Sequence, residues 1–316
     1  MIHDNSFSTM EQNKLMGLIA PLHFIEELKA ELAHYNIEAL YIEDRFFIVP
    51  ESERPYLWVD DVLHDLQIIS IESINDASKK LKLLTKTWVH FGSKVHRRGE
   101  LILDNLSSIK KKSIPFLHEL PAKEYGVFGL MEQNKLFYSL KPQSKIPLGE
   151  VEFHEDKVNP PSRAYLKLWE TFTVQGLRPK AGERVIDVGS CPGGWTWVLQ
   201  TMGCLVVSVD KAPLEPKIAA LPRIEFLEES AFGLLPEKVG ALDWFFSDII
   251  CYPSKLLELV KKWHASGMVK NFVCTIKFQG ATDYAIMEKF LTDFPGSRIV
   301  HLYCNKHEVT WIFQAK

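Results

Sequence analysis

The stretch VIDVGSCPGGWTWVLQ, residues 185–200, sets Asp187, three glycines and Pro192 between two apolar runs. Glycines at a strand-to-helix turn let a ligand approach the main chain and meet the positive end of the helix. A phosphate does not suit these residues. The GKS or GKT of a Walker A loop is missing, and Pro192 fills the interval that a GxGxxG dinucleotide loop keeps open. A ligand with an amino-acid end fits better, because backbone amides take its carboxylate while Asp187 supports its ammonium. Asp210 ends the run LVVSVD about 20 residues on, where an acid after the second strand accepts ribose hydroxyls. Together these point to an adenosine-linked amino acid, S-adenosylmethionine.

Such a loop needs a sheet edge to carry it. AYLKLWETFTVQGL (164–177) has the periodicity of an amphipathic helix, RVIDVG that of a buried strand, and WTWVLQTMG that of a helix closed by Gly203. LVVSVD, RIEFLE, LDWFFSD, NFVCTIKF, SRIVHLY and VTWIF read as further strands. PSKLLELVKKWHAS and ATDYAIMEKFLTDF read as helices between them. Strands that are apolar throughout and alternate with helices predict a mostly parallel sheet covered on both faces, a doubly wound α/β domain. The last two strands follow each other closely, which predicts an antiparallel edge.

Four prolines in residues 140–165 predict a boundary near Val151–Asp156, hence domains at 1–152 and 153–316. In the first, ALYIEDRFFIVP, LQIISIESI and YGVFGLMEQNKLFYSL read as strands. HFIEELKAELAHY and DASKKLKLLTKTWVHF read as helices, so an α+β domain is expected.

The 316 residues are 46% hydrophobic and 24% charged, ordinary for globular domains. The start has no signal-peptide pattern, and no apolar run reaches the roughly 18 residues of a membrane span. The five cysteines form no CxxC pair, which argues against a zinc ribbon or disulfide framework and predicts a reducing cytoplasm. The net charge of −3 is unevenly spread. Residues 1–77 hold 15 acids and 4 Lys/Arg, whereas 78–114 hold 10 Lys/Arg and 2 acids. Clustered cations neutralise phosphates and give sequence-independent affinity for nucleic acid, although a solvated helix face has the same composition.

PSRAYLKLWE (161–170) precedes the glycine loop, and the pair resembles the SRAxxKL helix and D-x-G-x-x-P-G-G loop of FtsJ-like ribose 2′-O-methyltransferases. PPSRAYLKL, DVGSCPGGWTW, SVD, SDIICYPSKLLELVKKW, FVCTIKF and HEVTW follow in family order over residues 160–316. Within that group the chain is most similar to the bacterial RlmM family, which modifies a cytidine of large-subunit ribosomal RNA. ISIESINDASKKLK resembles part of the RNA-binding THUMP region of those enzymes. The resemblance implies a Rossmann-like class I S-adenosylmethionine-dependent methyltransferase domain, preceded by a smaller THUMP-like α+β domain.

It also implies a Lys-Asp-Lys-Glu tetrad, here Lys167, Asp248, Lys277 and Glu308. A ribose hydroxyl is a poor acid, so attack on a sulfonium methyl needs a positioned base and a cation for the developing alkoxide. Lys277 interrupts an apolar strand, where a lysine is uncommon; it is the expected base, with Lys167 the cation and the two acids holding both ammonium heads. Ser162, Asp187, Gly189, Cys191, Pro192, Gly193, Gly194, Trp195, Asp210, Ser230 and Asp248 are the expected cofactor-site residues. Ser230 is a departure, since the family typically has Asp there to meet the adenine amino group; substitution by Glu229 and a bond from Ser230 through water are the alternatives. No metal is expected, because all four tetrad members are protein side chains. Ribosomal RNA is the expected partner. A different RNA target, or a non-catalytic RNA-binding protein keeping this fold, are the competing readings.

Overall fold

The computed structural model describes residues 14–92, 94–109, 112–120 and 124–315. Two compact units account for the chain: Met1–Ile114 with Glu119–Glu152, and Pro115–His118 with Phe153–Lys316. Among the described residues no helix is long and apolar enough to cross a membrane.

The first unit is built from β1 (Leu15–Ile19), α1 (Ile25–His34), β2 (Tyr41–Glu43), β3 (Phe46–Pro50), β4 (Asp61–Ser70), α2 (Ile74–Lys82), β5 (Thr87–His90), α3 (His96–Leu103), β6 (Ser107–Ser108), β7 (Gly126–Glu132), β8 (Lys135–Ser139) and β9 (Lys141–Pro142). Its strands lie in the order β2-β3-β1-β4-β8-β7-β5-β6, with β9 against β4. The segment read as one helix over 76–91 is instead α2 followed by β5. Thr87, Trp88 and Val89 are β-branched or aromatic, and Trp88 is fully buried beside Phe128 and Leu81. Packing on the sheet therefore outweighs the helical periodicity that precedes it. Of the basic residues, Lys79, Lys82, Lys86 and Lys112 are exposed, whereas Lys110 and Lys111 lie outside the described residues.

The second unit runs α4 (Tyr165–Val174), β10 (Arg184–Val188), α5 (Gly194–Thr201), β11 (Leu205–Asp210), α6 (Pro216–Ala219), β12 (Ile224–Glu228), α7 (Pro236–Val239), β13 (Leu242–Ser247), α8 (Pro253–Ala265), β14 (Val269–Lys277), α9 (Tyr284–Asp293), β15 (Arg298–Val300) and β16 (Glu308–Gln314). The sheet order is β12-β11-β10-β13-β14-β16-β15. Strands β10 to β14 pair in parallel, and β16 runs antiparallel to both β14 and β15. Of the last two strands, β15 is thus the edge and pairs antiparallel, as expected, while β16, which runs against the parallel set, lies inside it. The physical reason is burial: Val309, Trp311 and Ile312 are at most 2% exposed, so β16 needs a neighbour on each side, while short β15 takes the edge. The short helices α6 and α7, each opened by a proline, went unforeseen.

Phe116 belongs to this unit although it precedes the boundary. Its ring stacks on Trp169 of α4, centroids 4.8 Å apart and planes within 8°.

Candidate functional site

The parallel strands β10, β11 and β13 end on one edge of the sheet, where open α/β sheets place their ligand sites. The turn after β10 carries the glycines. Gly189 has φ +75, and a Cβ there would stand 2.8 Å from the Ile249 Cα. Only glycine lets this turn pass beside the backbone that follows Asp248. Gly193 caps α5 in the left-handed region with no side-chain cap of its own, and of the first-turn amides that of Thr196 turns to Asp187. Gly194 lies under Ser162, whose Oγ is 2.9 Å from where its Cβ would be.

The residues expected around S-adenosylmethionine divide into two groups. Cys191 and Pro192 are exposed on the loop, while Ser162 and Ser230 are half-buried. Asp210 accepts the backbone N–H groups of Cys191 and Ala212, each at 3.0 Å, and so ties the loop to the end of β11. A carboxylate has lone pairs to spare after two such bonds. Asp187 is enclosed instead. It is 0% exposed, and its Oδ2 accepts the Thr196 hydroxyl at 2.7 Å. Its Oδ1 has no hydrogen-bond partner among the described residues. Burial pushes its carboxyl up to about 7 against the Thr196 hydrogen bond, with Asp248 and Asp210 adding repulsion. Trp195 is a core residue: 3% exposed, its ring lies edge-on to Phe246 and its indole N–H donates to Ala164 O at 2.9 Å. The Trp195 ring thus joins α5 to the start of α4. Glu229 is committed to Lys238 at 2.6 Å, which weakens it as a stand-in for the missing acid at 230. An uncapped helix, glycines that a Cβ would overlap and a buried orphan oxygen beneath them suit a ligand with a carboxylate and an ammonium.

Beside this loop the four ionisable residues come together. Asp248 follows β13, Lys277 ends β14 and Glu308 begins β16; Lys277 and Glu308 are register partners. Lys167 comes from the first turn of α4. The helix is buried on nearly every side, in contrast to the amphipathic pattern expected, so Lys167 is drawn inward. Its Nζ lies 2.9 Å from Asp248 Oδ1 and 2.7 Å from Glu308 Oε1. Lys277 Nζ lies 3.1 Å from the same Asp248 Oδ1 and donates to the Asp248 carbonyl at 2.5 Å. The side chains are 8–19% exposed, so two cations and two anions neutralise one another in a nearly dry cluster. The lysines differ. Burial pulls the Lys167 ammonium down, but Asp248 and Glu308 together outweigh it and leave Lys167 above the usual lysine range. Lys167 is thus locked as a cation between two acids, whereas Lys277 meets one carboxylate oxygen and a carbonyl.

Sequence reading missed Glu170. This carboxylate, 4% exposed, lies on α4 one turn beyond Lys167 and accepts the backbone N–H groups of Tyr303 and Cys304 at 2.7 and 3.0 Å. It grips the loop that leads into Glu308. The signal available in the sequence was an acid in the middle of an aromatic helix, YLKLWETF.

Residues 160–279 match the family model described as FtsJ-like methyltransferase. A ribosomal RNA large subunit methyltransferase M from Shewanella frigidimarina is 26% identical over 262 residues, covering 77% of this chain and 68% of the relative. A protein of the same name from Thauera aminoaromatica is 31% identical over 167 residues, 48% of this chain and 45% of the relative. The matched stretch spans about half the length of most such relatives. The structure of a ribosomal RNA methyltransferase from Plasmodium falciparum aligns with 49% of this chain and 97% of its own, at 15% identity and a TM-score of 0.38.

Proposed function

We propose that this chain, whose residues 160–279 match the FtsJ-like methyltransferase model, transfers a methyl group from S-adenosylmethionine to a ribose 2′-hydroxyl of 23S ribosomal RNA, at a cytidine, in the cytoplasm. The observation that carries this reading is the cluster of Lys167, Asp248, Lys277 and Glu308 beside the glycine turn. The relatives named ribosomal RNA large subunit methyltransferase M support the class of substrate.

S-adenosylmethionine supplies an electrophilic methyl group on a sulfonium centre. The α5 amides, Asp187 and Asp210 are the groups that would hold it. Lys277 accepts the proton of the 2′-hydroxyl at Nζ, which requires that its ammonium first give up a proton. Lys167 remains charged and stabilises the negative charge growing on the ribose oxygen. Asp248 holds both ammonium groups through Oδ1, and Glu308 fixes Lys167 from the other side. Because every role falls to a protein side chain, the transfer step itself calls for no metal. The first unit, with its exposed Lys79, Lys82, Lys86 and Lys112, is the proposed THUMP-like RNA-binding domain.

The test is transfer of labelled methyl to unmodified large-subunit rRNA, with the labelled nucleoside identified. The expected result is 2′-O-methylcytidine from the wild type and a rate lowered on the order of 10²- to 10⁴-fold by Lys277→Ala, with S-adenosylmethionine binding retained. Label in a base, or a Lys277→Ala rate equal to wild type, overturns the mechanism. Label only in another RNA moves the substrate and keeps the reaction.

A further inference from the structure

Three side chains able to ligate a metal converge where β5 ends and α3 begins. His90, His96 and Glu100 each present a donor atom within 4.8 Å of the other two. All three lie in the first unit, and none belongs to the methyl-transfer cluster. We propose that His90, His96 and Glu100 form a zinc site.

The local structure explains the convergence. His96 and Glu100 are four residues apart in α3, so they stand one above the other on a single face. His90 is the last residue of β5, and its side chain is only 1% exposed. Glycines at 92 and 99 make room for its ring: a Cβ at either would overlap His90 Nε2. The ring is therefore clamped from behind, and its Nδ1 lies 2.6 Å from Glu100 Oε1.

The spacing of the two imidazoles fits a common ion. Their ring centroids are 5.3 Å apart with planes at 28°. Two histidines on one tetrahedral zinc, with Zn–N about 2.0–2.1 Å, hold their centroids roughly 5 Å apart. Two nitrogens and one carboxylate oxygen favour zinc over magnesium or calcium, which take oxygen ligands. His96 is exposed and Glu100 half-exposed, so an ion enters from solvent and water completes the fourth position. Among the described residues His90 Nε2 has no hydrogen-bond partner, and ligand histidines are usually backed by one. Arg97 and Arg98 add positive charge alongside, so the affinity is expected to be modest. Bound zinc ties β5 to α3 with Arg97 and Arg98 between two of its ligands, stiffening part of the basic segment.

The test uses the full chain, stripped with chelator and titrated with zinc by calorimetry and with cobalt by visible absorption. His96→Ala and Glu100→Gln change exposed positions and leave the buried His90 in place; thermal melts and S-adenosylmethionine binding check that both variants stay folded. We expect one zinc per chain, tetrahedral cobalt bands, and at least a tenfold loss of affinity in each variant. Absence of binding by the wild type, or binding that both folded variants retain unchanged, overturns the proposal. Binding retained by both and lost in Cys191→Ser, the exposed thiol, would place the zinc elsewhere and overturn it equally.

Discussion

Lys80 in the first unit and Lys167 in the second each lie 2.9 Å from an aspartate, Asp76 and Asp248 respectively. The surroundings of the two pairs are opposite. Lys80 and Asp76 are 44% and 27% exposed, on the surface of α2; Lys167 and Asp248 are 11% and 15% exposed, with Glu308 and Lys277 close by. Equal distance does not mean equal work. In water the attraction is screened and the pair contributes little, though Lys80 also donates to the Ser70 carbonyl at 3.0 Å. In the second unit each charge has lost most of its hydration and depends on the others for compensation.

The contrast is sharpest when each lysine is removed. Lys167→Met leaves Asp248 and Glu308 facing each other without their shared cation, and should cost about 3–5 kcal/mol in denaturant unfolding. Lys80→Met should cost no more than about 0.5 kcal/mol. Similar values for the two would mean that the cleft is far wetter than its exposures indicate.

Asp187 extends the comparison to pH. Its carboxyl, pushed up to about 7 from an ordinary value near 4, favours folding while protonated. That contribution is full below about pH 4 and is lost as pH rises through 7. Asp187→Asn keeps an oxygen for the Thr196 hydroxyl and removes the titration. Its thermal midpoint should therefore fall less than the wild type's between pH 5 and 8. Glu31 and Asp61 in the first unit, raised to about 7 by burial as well, keep part of the slope in both proteins.

A smaller effect is expected from Glu170→Gln, which retains one acceptor for two backbone N–H groups. Loss of about 1–3 kcal/mol of stability should come with a lower kcat and an unchanged KM for S-adenosylmethionine. An equal fall in cofactor affinity would mean that Glu170 holds the whole unit rather than the approach to Glu308. Smallest on folding is reversal of the solvated charges: Lys79, Lys82 and Lys86 to Glu should leave stability within about 0.5 kcal/mol while weakening RNA binding and flattening its salt dependence. Unchanged affinity and slope would make these lysines surface only.

Much of the second unit was legible because its strands are apolar on both faces and its helices have clear ends. The tetrad positions could be matched because each sits in a distinctive local run: YLKL, FFSDI, TIKF and HEVTW. The first unit was less so. Periodicity carried the helical reading past Lys82 into Thr87–His90, since nothing local announces that Trp88 will be buried against Phe128, forty residues on. The same limit hid Glu170, whose partners Tyr303 and Cys304 lie more than 130 residues away. Trp195 showed only its place beside the glycines, and its direction depended on Ala164 and Phe246.

By itself, then, the sequence determined the alternation of strand and helix, the tight turn at Gly189–Gly194 and the types of the four charged residues, all of which depend on neighbours a few residues apart. Only the tertiary structure decided that β16 enters between β14 and β15, which sets Glu308 opposite Lys277 and within reach of Lys167. Strand order, burial and the sharing of one aspartate oxygen by two lysines arise from packing between distant segments, and hydrophobic burial is blind to the order in which those segments occur along the chain.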